Sequence, residues 1–226
     1  ESPKSDMKGV IVAVVAGLLA ISSNAEVAKI KVACLGDSIT VGSQCSDRKT
    51  KSYPAVLQKL LGDGYEVRNY GQGGTNGASK GNPWRSKTKH IETSLAWGPD
   101  IVVWMHGTND STHWVGQGFT EDWYVADIKE VLDKYLALKP KKLIVVNPPT
   151  LFQRDKMKIW GIDAQQLDDH VIPAVNRLAK ELKVPLVDFY KLSSTHRDDW
   201  YAKDLCHLND AGYAALAEEV KKAIVK

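Results

Sequence analysis

Four short blocks of this chain carry side chains that could act together on a substrate. Ser38 lies in Gly36-Asp37-Ser38-Ile39-Thr40, directly after an apolar run, and His207 closes Asp204-Leu205-Cys206-His207 far along the chain. A serine hydroxyl is a poor nucleophile until a base takes its proton. An imidazole can be that base. A carboxylate three residues before it can sit beside it on one tight turn, fix its tautomer and stabilise its protonated form. Between these blocks lie two that could supply hydrogen-bond donors. In Asn69-Tyr70-Gly71-Gln72-Gly73-Gly74-Thr75 the glycines let backbone N–H groups approach a ligand. In Gly107-Thr108-Asn109-Asp110, Asn109 offers a side-chain amide. Each block has an ordinary structural explanation on its own: a helix cap at Ser38, a glycine turn, an Asn turn, a surface Asp–His pair. Their order and placement argue for a joint role.

That placement depends on the elements between them. Ile30 to Leu35 reads as a buried strand, and Tyr65 to Asn69, Ile101 to Met105, Leu143 to Val146 and Pro185 to Val187 as four more. Tyr53 to Leu61 reads as a helix, apolar at Val56, Leu57, Leu60 and Leu61. Glu121 to Leu138 is a long amphipathic helix with Val125, Ile128, Val131, Leu132 and Tyr135 on one stripe. Ala164 to Leu182 is helical with a kink or break at Pro173, and Asp210 to Ile224 is the closing helix. Strands alternating with helices predict a parallel sheet covered on both faces. Ligands bind beyond the carboxyl ends of such strands. The loops after Leu35, Asn69 and Met105, and the segment after the fifth strand, are the ones that hold the four blocks.

The blocks GDSIT, GQGG, GTND and DxxH resemble the four sequence blocks of the GDSL-type (SGNH) hydrolases, and they span Gly36 to His207. The resemblance implies an α/β three-layer sandwich: a flavodoxin-like parallel sheet of about five strands with helices on both faces. It also implies a carboxylic ester hydrolase with Ser38 as nucleophile, His207 as base and Asp204 orienting the imidazole. The backbone N–H of Ser38, the backbone N–H of Gly74 and the Asn109 side chain would form the oxyanion hole. Gly74 is preferred to Gly73 because the family's glycine sits five residues after the Asn that ends the strand. No cofactor or metal is implied. The run from Gly36 to Gly71 looks most like sialate- or xylan-type O-acetylesterases, which makes acetyl esters on carbohydrate the expected substrate. A lysophospholipase- or thioesterase-type lipid esterase would use the same triad. A non-catalytic carbohydrate-binding module on this fold is the reading from a different class. His106 stands where the family has an apolar residue before GTND, and reads as a packed strand-end histidine or as part of an acyl pocket. The GxSxG elbow of other serine hydrolases is absent, since Thr40 follows Ser38 by two.

Composition narrows the remaining classes. The chain is 43% hydrophobic and 25% charged with a net charge of +3, which is ordinary globular composition. No basic block is interleaved with aromatics, so nucleic acid is not an expected partner. No HExxH or CxxC occurs, and the six histidines do not cluster at metal-ligand spacing. Met7 and Lys8 lead into an apolar run from Val10 to Ile21, followed by Ser22, Ser23, Asn24 and Ala25. This reads as a signal peptide within a leader of residues 1–25, and residues 26–226 as one hydrolase domain, secreted or periplasmic. The run is shorter than the roughly 20 residues of a membrane span, so no stable membrane association is expected. Export would permit disulfides. Cys34 falls within a strand pattern, which leaves Cys45 and Cys206 as the candidate pair. Trp97 and Trp104 read as core, whereas Trp84, Trp114 and Trp160 fall on loops at the expected active face and could stack on sugar rings.

Overall fold

The computed structural model describes residues 28–79, 89–112, 119–152 and 161–226. The expected leader with its cleavage site, and Trp84, Trp114 and Trp160, lie outside these residues. Strands β1 (Ile30–Gly36), β2 (Tyr65–Gly71), β3 (Ile101–Met105), β4 (Lys142–Val146) and β5 (Leu186–Val187) form a five-stranded sheet in the order β2-β1-β3-β4-β5. Every pairing is parallel. The helices are α1 (Ser38–Val41), α2 (Arg48–Lys51), α3 (Tyr53–Leu61), α4 (Lys89–Trp97), α5 (Glu121–Leu136), α6 (Ala164–Gln166), α7 (Ile172–Leu182), α8 (Phe189–Ser193), α9 (Arg197–Trp200) and α10 (Asp210–Val225).

Successive strand residues point to opposite faces of the sheet, and both faces are buried. Ala33, Leu35, Val102, Trp104, Leu143 and Val145 pack with Tyr124, Ile128 and Leu132 of α5 and Val175 and Leu178 of α7. Val32, Cys34, Ile101, Val103, Met105, Ile144 and Val146 pack with Leu57 of α3 and Tyr213, Leu216 and Val220 of α10. Two buried faces explain why the central strands read as continuous apolar runs rather than alternating ones. This is the three-layer α/β fold expected from the sequence. No helix among the described residues is long and apolar enough to cross a membrane.

The short helices α1, α2, α8 and α9 have no counterpart in the sequence reading, and three longer elements differ from it. Helix α5 stops at Leu136, and Lys139 then takes a left-handed φ of 54° ahead of Pro140. The expected kink at Pro173 is a wide π-helical turn over Leu167–Val171 that precedes α7, with the proline in the first turn of α7. A proline has no N–H to give to the preceding turn and its ring crowds that turn's carbonyl, so a widened turn there is a natural accommodation. Helix α4 escaped the pattern search because it presents little apolar stripe. Ser94 is its buried residue, bonded to the Tyr135 hydroxyl at 2.5 Å, with Ile91, Leu95 and Trp97 only partly covered. Trp97, expected in the core, is half-buried and lies under the Arg68 guanidinium, 4.3 Å from the ring centroid.

The sheet order places β1 between β2 and β3. The connection from β1 to β2 runs to one side and β3 returns on the other, so a crevice opens beyond their carboxyl ends. At the end of β1 a Cβ on Gly36 would overlap the Thr40 hydroxyl and the Met105 carbonyl. A methyl group there has to displace backbone. Gly36→Ala is expected to lower the unfolding free energy by at least about 1–3 kcal/mol, read by urea titration. A wild-type midpoint would show that the strand end can relax.

Candidate active site

The structure brings Ser38, His207 and Asp204 into one line. The Ser38 hydroxyl lies 2.8 Å from Nε2 of His207. Nδ1 of the same ring lies 2.7 Å from Oδ2 of Asp204. The imidazole is buried and Ser38 is half-buried. A hydroxyl, an imidazole and a carboxylate in this sequence of contacts can pass the serine proton to His207 while Asp204 holds the ring in the required tautomer.

The Asp204–His207 turn is held from several sides. Oδ1 of Asp204 accepts the backbone N–H groups of Cys206 at 3.0 Å and His207 at 2.9 Å. Burial alone would raise the Asp204 carboxyl, but the hydrogen bonds from the His207 ring and from these two N–H groups outweigh it and hold it below the ordinary carboxylate range. The turn requires Leu205 to adopt a φ of 54°, a conformation most side chains avoid. Its carbonyl accepts from Phe152 N at 3.2 Å, and the Ala202 N–H bonds the His207 carbonyl at 2.9 Å. An antiparallel bridge between Tyr201 and Leu208 closes the segment.

Ser38 opens α1 immediately after β1. Its N–H lies in the first helical turn, where backbone donors have no partner within the helix. The Asp37 carboxyl caps this turn by accepting from Ile39 N at 2.9 Å. The glycine loop approaches from β2. A Cβ on Gly71 would stand 2.5 Å from Val41 N, so β2 can close on α1 only with glycine there. Asn69 completes the join: its amide donates to the Thr40 carbonyl at 2.8 Å and its oxygen accepts from Gly71 N at 2.9 Å. Gly74 has a φ of 75° and open space around its missing Cβ, so it is required for its backbone conformation. From β3, Asn109 donates one amide hydrogen to the Thr75 carbonyl at 2.9 Å and keeps a second. The buried carboxyl of Asp110 accepts from Gly77 N and Ala78 N, each at 2.8 Å.

These loops enclose a cavity of about 620 Å³. Ser38, Gly74, Asn109 and His207 line it together, with Ser43, Gln44, Cys45, Arg48, Asn76, Thr112 and Ile162 among the described residues. Sequence reasoning missed Asp37, Asn76, Arg48 and the part played by Asp110. Asp110 had a legible signal, a carboxylate adjoining Asn109 opposite a glycine loop rich in N–H groups. Asn76 had none. Its side chain is buried, its amide nitrogen and oxygen have no hydrogen-bond partner among the described residues, and only the fold reveals that it faces the cavity.

Two further readings are settled by packing. His106 is buried with its ring 4.4 Å from that of Trp104, and it packs at the strand end without lining the cavity among the described residues. The Cys45–Cys206 pair is corrected: Cys34, Cys45 and Cys206 are all free thiols. The two loops do meet, but through other groups. Ser46 donates its N–H and hydroxyl to Asp210 at 2.8 and 2.6 Å, and the Tyr213 hydroxyl donates to the Ser43 carbonyl at 2.7 Å. Cys45 turns its thiol to the Gly42 carbonyl at 3.0 Å, while Cys206 sinks into the core on the other face of the sheet. Among the described residues no group of three or more His, Cys, Asp or Glu side chains is arranged to hold a metal.

Residues 34–215 match the GDSL-like Lipase/Acylhydrolase family, and the chain belongs to it. The acetylxylan esterase of Xylanibacter ruminicola (strain ATCC 19189) is 30% identical over 218 residues, which is 86% of this chain and 43% of that protein. The chain thus spans less than half the length of that relative. Similar solved structures include an acetyl xylan esterase (23% identity, TM-score 0.66, 86% of this chain and all of the other). The M. smegmatis aryl esterase is as near in fold (22% identity, TM-score 0.67, 87% and all). So is the lipase/acylhydrolase of Enterococcus faecalis (18% identity, TM-score 0.67, 86% and 94%). At these identities the structures establish the shared fold.

Asp37 gives the site a pH-dependent element. Burial pushes its carboxyl from an ordinary 3.8 up to about 7, against the opposing pull of the Ile39 N–H bond and the His207 ring; the Asp110 charge adds to the rise. A carboxyl raised in the folded state binds its proton more tightly there than in the unfolded chain. Its contribution to stability is therefore full below about pH 3.8 and lost as the pH rises toward about 7. Asp37→Asn keeps an oxygen to cap Ile39 and does not titrate. The melting temperature of this variant relative to wild type is expected to rise between pH 5 and pH 8. A difference that stays constant across that interval would assign Asp37 an ordinary titration.

Proposed function

We propose that the chain is a serine esterase that removes acetyl groups from carbohydrate through an acyl-enzyme on Ser38. The observation that carries this reading is the relay from the Ser38 hydroxyl to His207 at 2.8 Å and from His207 to Asp204 at 2.7 Å, opening on a cavity shared with Gly74 and Asn109. In the first half-reaction Ser38 Oγ attacks the ester carbonyl carbon and its proton passes to His207 Nε2. The N–H groups of Ser38 and Gly74 and the remaining Asn109 amide hydrogen would hold the oxyanion. The tetrahedral species collapses as His207 returns the proton to the departing sugar oxygen. Water, deprotonated by the same imidazole, then attacks the acetyl-serine, releasing acetate and restoring the hydroxyl.

The cavity lining supports carbohydrate over lipid. At about 620 Å³ the cavity leaves room for a sugar beside an acetyl group. Its described lining is mostly polar, with Ser43, Gln44, Asn76, Asn109 and Thr112 against the single aliphatic Ile162, which suits hydroxyl-bearing groups better than an alkyl chain. The names of the similar acetylxylan and acetyl xylan esterases point the same way. The binding-module reading would leave a fully assembled Ser–His–Asp relay without a use. Export through the leader is part of the proposal and rests on the sequence pattern alone.

Ser38→Ala is expected to fold normally and to lose on the order of 10⁴-fold or more in kcat, with loss of labelling by a fluorophosphonate. Near-normal turnover by that variant would overturn the mechanism. His207→Ala should lose about as much, and Asp204→Asn less, because the oxyanion donors remain in both. A panel of p-nitrophenyl esters from acetyl to octanoyl tests the acyl group. Acetyl should be cleaved fastest, and a preference for octanoyl would favour the lipid reading.

A further inference from the structure

The catalytic cavity has one permanent charge on its described wall, and among the described residues that charge has no carboxylate partner. Arg48 lines the cavity together with Ser38 and His207. Three of the four described arginines are engaged with carboxylates: Arg68 with Glu66, Arg177 with Asp122 and Glu181, and Arg197 with Asp198. Among the described residues Arg48 forms no ion pair, although Asp47 adjoins it in sequence and Asp210 bonds Ser46 two residues away. Asp47 accepts from Lys49 N at 3.0 Å and the Thr50 hydroxyl at 2.7 Å. Asp210 accepts twice from Ser46. No Asp or Glu stands among the described cavity-lining residues.

The base under Arg48 is fixed. Asp47 caps α2, the Ser52 hydroxyl donates to the Arg48 carbonyl at 2.7 Å, and Ser46 ties the preceding loop to α10. Arg48 also borders a second hollow of about 370 Å³ that contains Lys49 and Lys59 and no described carboxylate. Neither lysine is within ion-pair distance of a described carboxylate, although the Asp47 charge acts on both. A guanidinium on a rigid base, at the junction of the catalytic cavity and a cationic groove, is arranged for a carboxylate, which it can meet with two parallel hydrogen bonds.

We propose that Arg48 forms a carboxylate-binding subsite, and that the preferred substrate is an acetyl ester on an acidic glycan, one carrying uronic acid residues. The acetyl group meets Ser38 while a carboxylate of the same or a neighbouring sugar meets Arg48, and the chain continues over Lys49 and Lys59. This rests on the carbohydrate acetylesterase reading above and narrows its substrate.

The test compares kcat/KM on mono-O-acetylated glucuronic acid, on its neutral methyl ester, and on an aryl acetate. Wild type should prefer the free acid over the methyl ester by roughly three- to tenfold, as an accessible charge pair allows, with the preference shrinking in 0.5 M salt. Arg48→Gln should bring the ratio close to one, with an unchanged melting temperature reporting an intact fold. Arg48→Lys should retain part of it, since the charge survives but the planar fork does not. On an acetylated oligosaccharide with several carboxylates, the Lys49→Gln/Lys59→Gln double variant should raise KM, and an unchanged KM removes the groove from the proposal. Equal turnover of acid and methyl ester by wild type, or an undiminished ratio in Arg48→Gln, overturns the carboxylate subsite alone. Cleavage of the aryl acetate with neither acetylated sugar turned over overturns the carbohydrate reading and this proposal with it.

Discussion

The site depends on a contact that no side chain can occupy. Where β1 ends, Gly36 lies against the Thr40 hydroxyl and the Met105 carbonyl, so the chain turns into α1 while still pressed between β2 and β3. That closeness puts Ser38 over the crevice where the strand order reverses. Gly71 repeats the device from the neighbouring strand, bringing β2 against the backbone of α1. Two absent Cβ atoms therefore fix the distance between the serine and the glycine loop, and everything that follows is registered to them.

The other loops are locked to this reference by charge and by backbone donors. Asp110 gathers the N–H groups of Gly77 and Ala78, and Asn109 takes the Thr75 carbonyl, so the β3 loop holds the β2 loop in place. On the opposite side Asp210 takes both donors of Ser46 and thereby ties the start of α10 to the loop after Ser38. The Asp204–His207 turn lies a few residues before that tie. Hydrogen bonds to ionised carboxylates are worth about 1.5–3 kcal/mol each, enough to hold Leu205 at its unfavourable φ, which costs about 1–2 kcal/mol. A disulfide between these loops is unnecessary for the assembly, and the thiols that might have formed it face different layers.

The legible part of this molecule is what period and order encode. The strands at Ile30, Ile101 and Leu143 are legible because two buried faces demand continuous apolar runs, whereas β2 is a partly exposed edge strand, and the rule that ligands sit beyond the carboxyl ends of strands selects the loops with Ser38, Gly74 and Asn109. The spacing of Asp204 and His207 was readable because a three-residue separation suits one turn. What the sequence hid is what depends on direction and on the absence of neighbours. Cys45 and Cys206 lie on loops that do meet, yet their side chains diverge. The single buried residue of α4 is a serine, which leaves no stripe to detect. Arg48 reads like any surface arginine until the fold shows that the adjacent carboxylates are taken by other donors.

The same distinction bears on how the cavity can discriminate. In the proposed reaction the relay and the oxyanion donors would act on the ester group, which every acyl ester shares, so they would not by themselves choose a sugar. Choice must come from groups that the folded chain leaves unsatisfied. Asn76 offers a buried side-chain amide at the cavity wall that a substrate hydroxyl could engage. Arg48, being exposed, acts instead by charge. One group sits buried beside Gly74 and the other at the exposed junction with the outer groove. A glycan of the kind proposed would offer a hydroxyl to the first group and a carboxylate to the second.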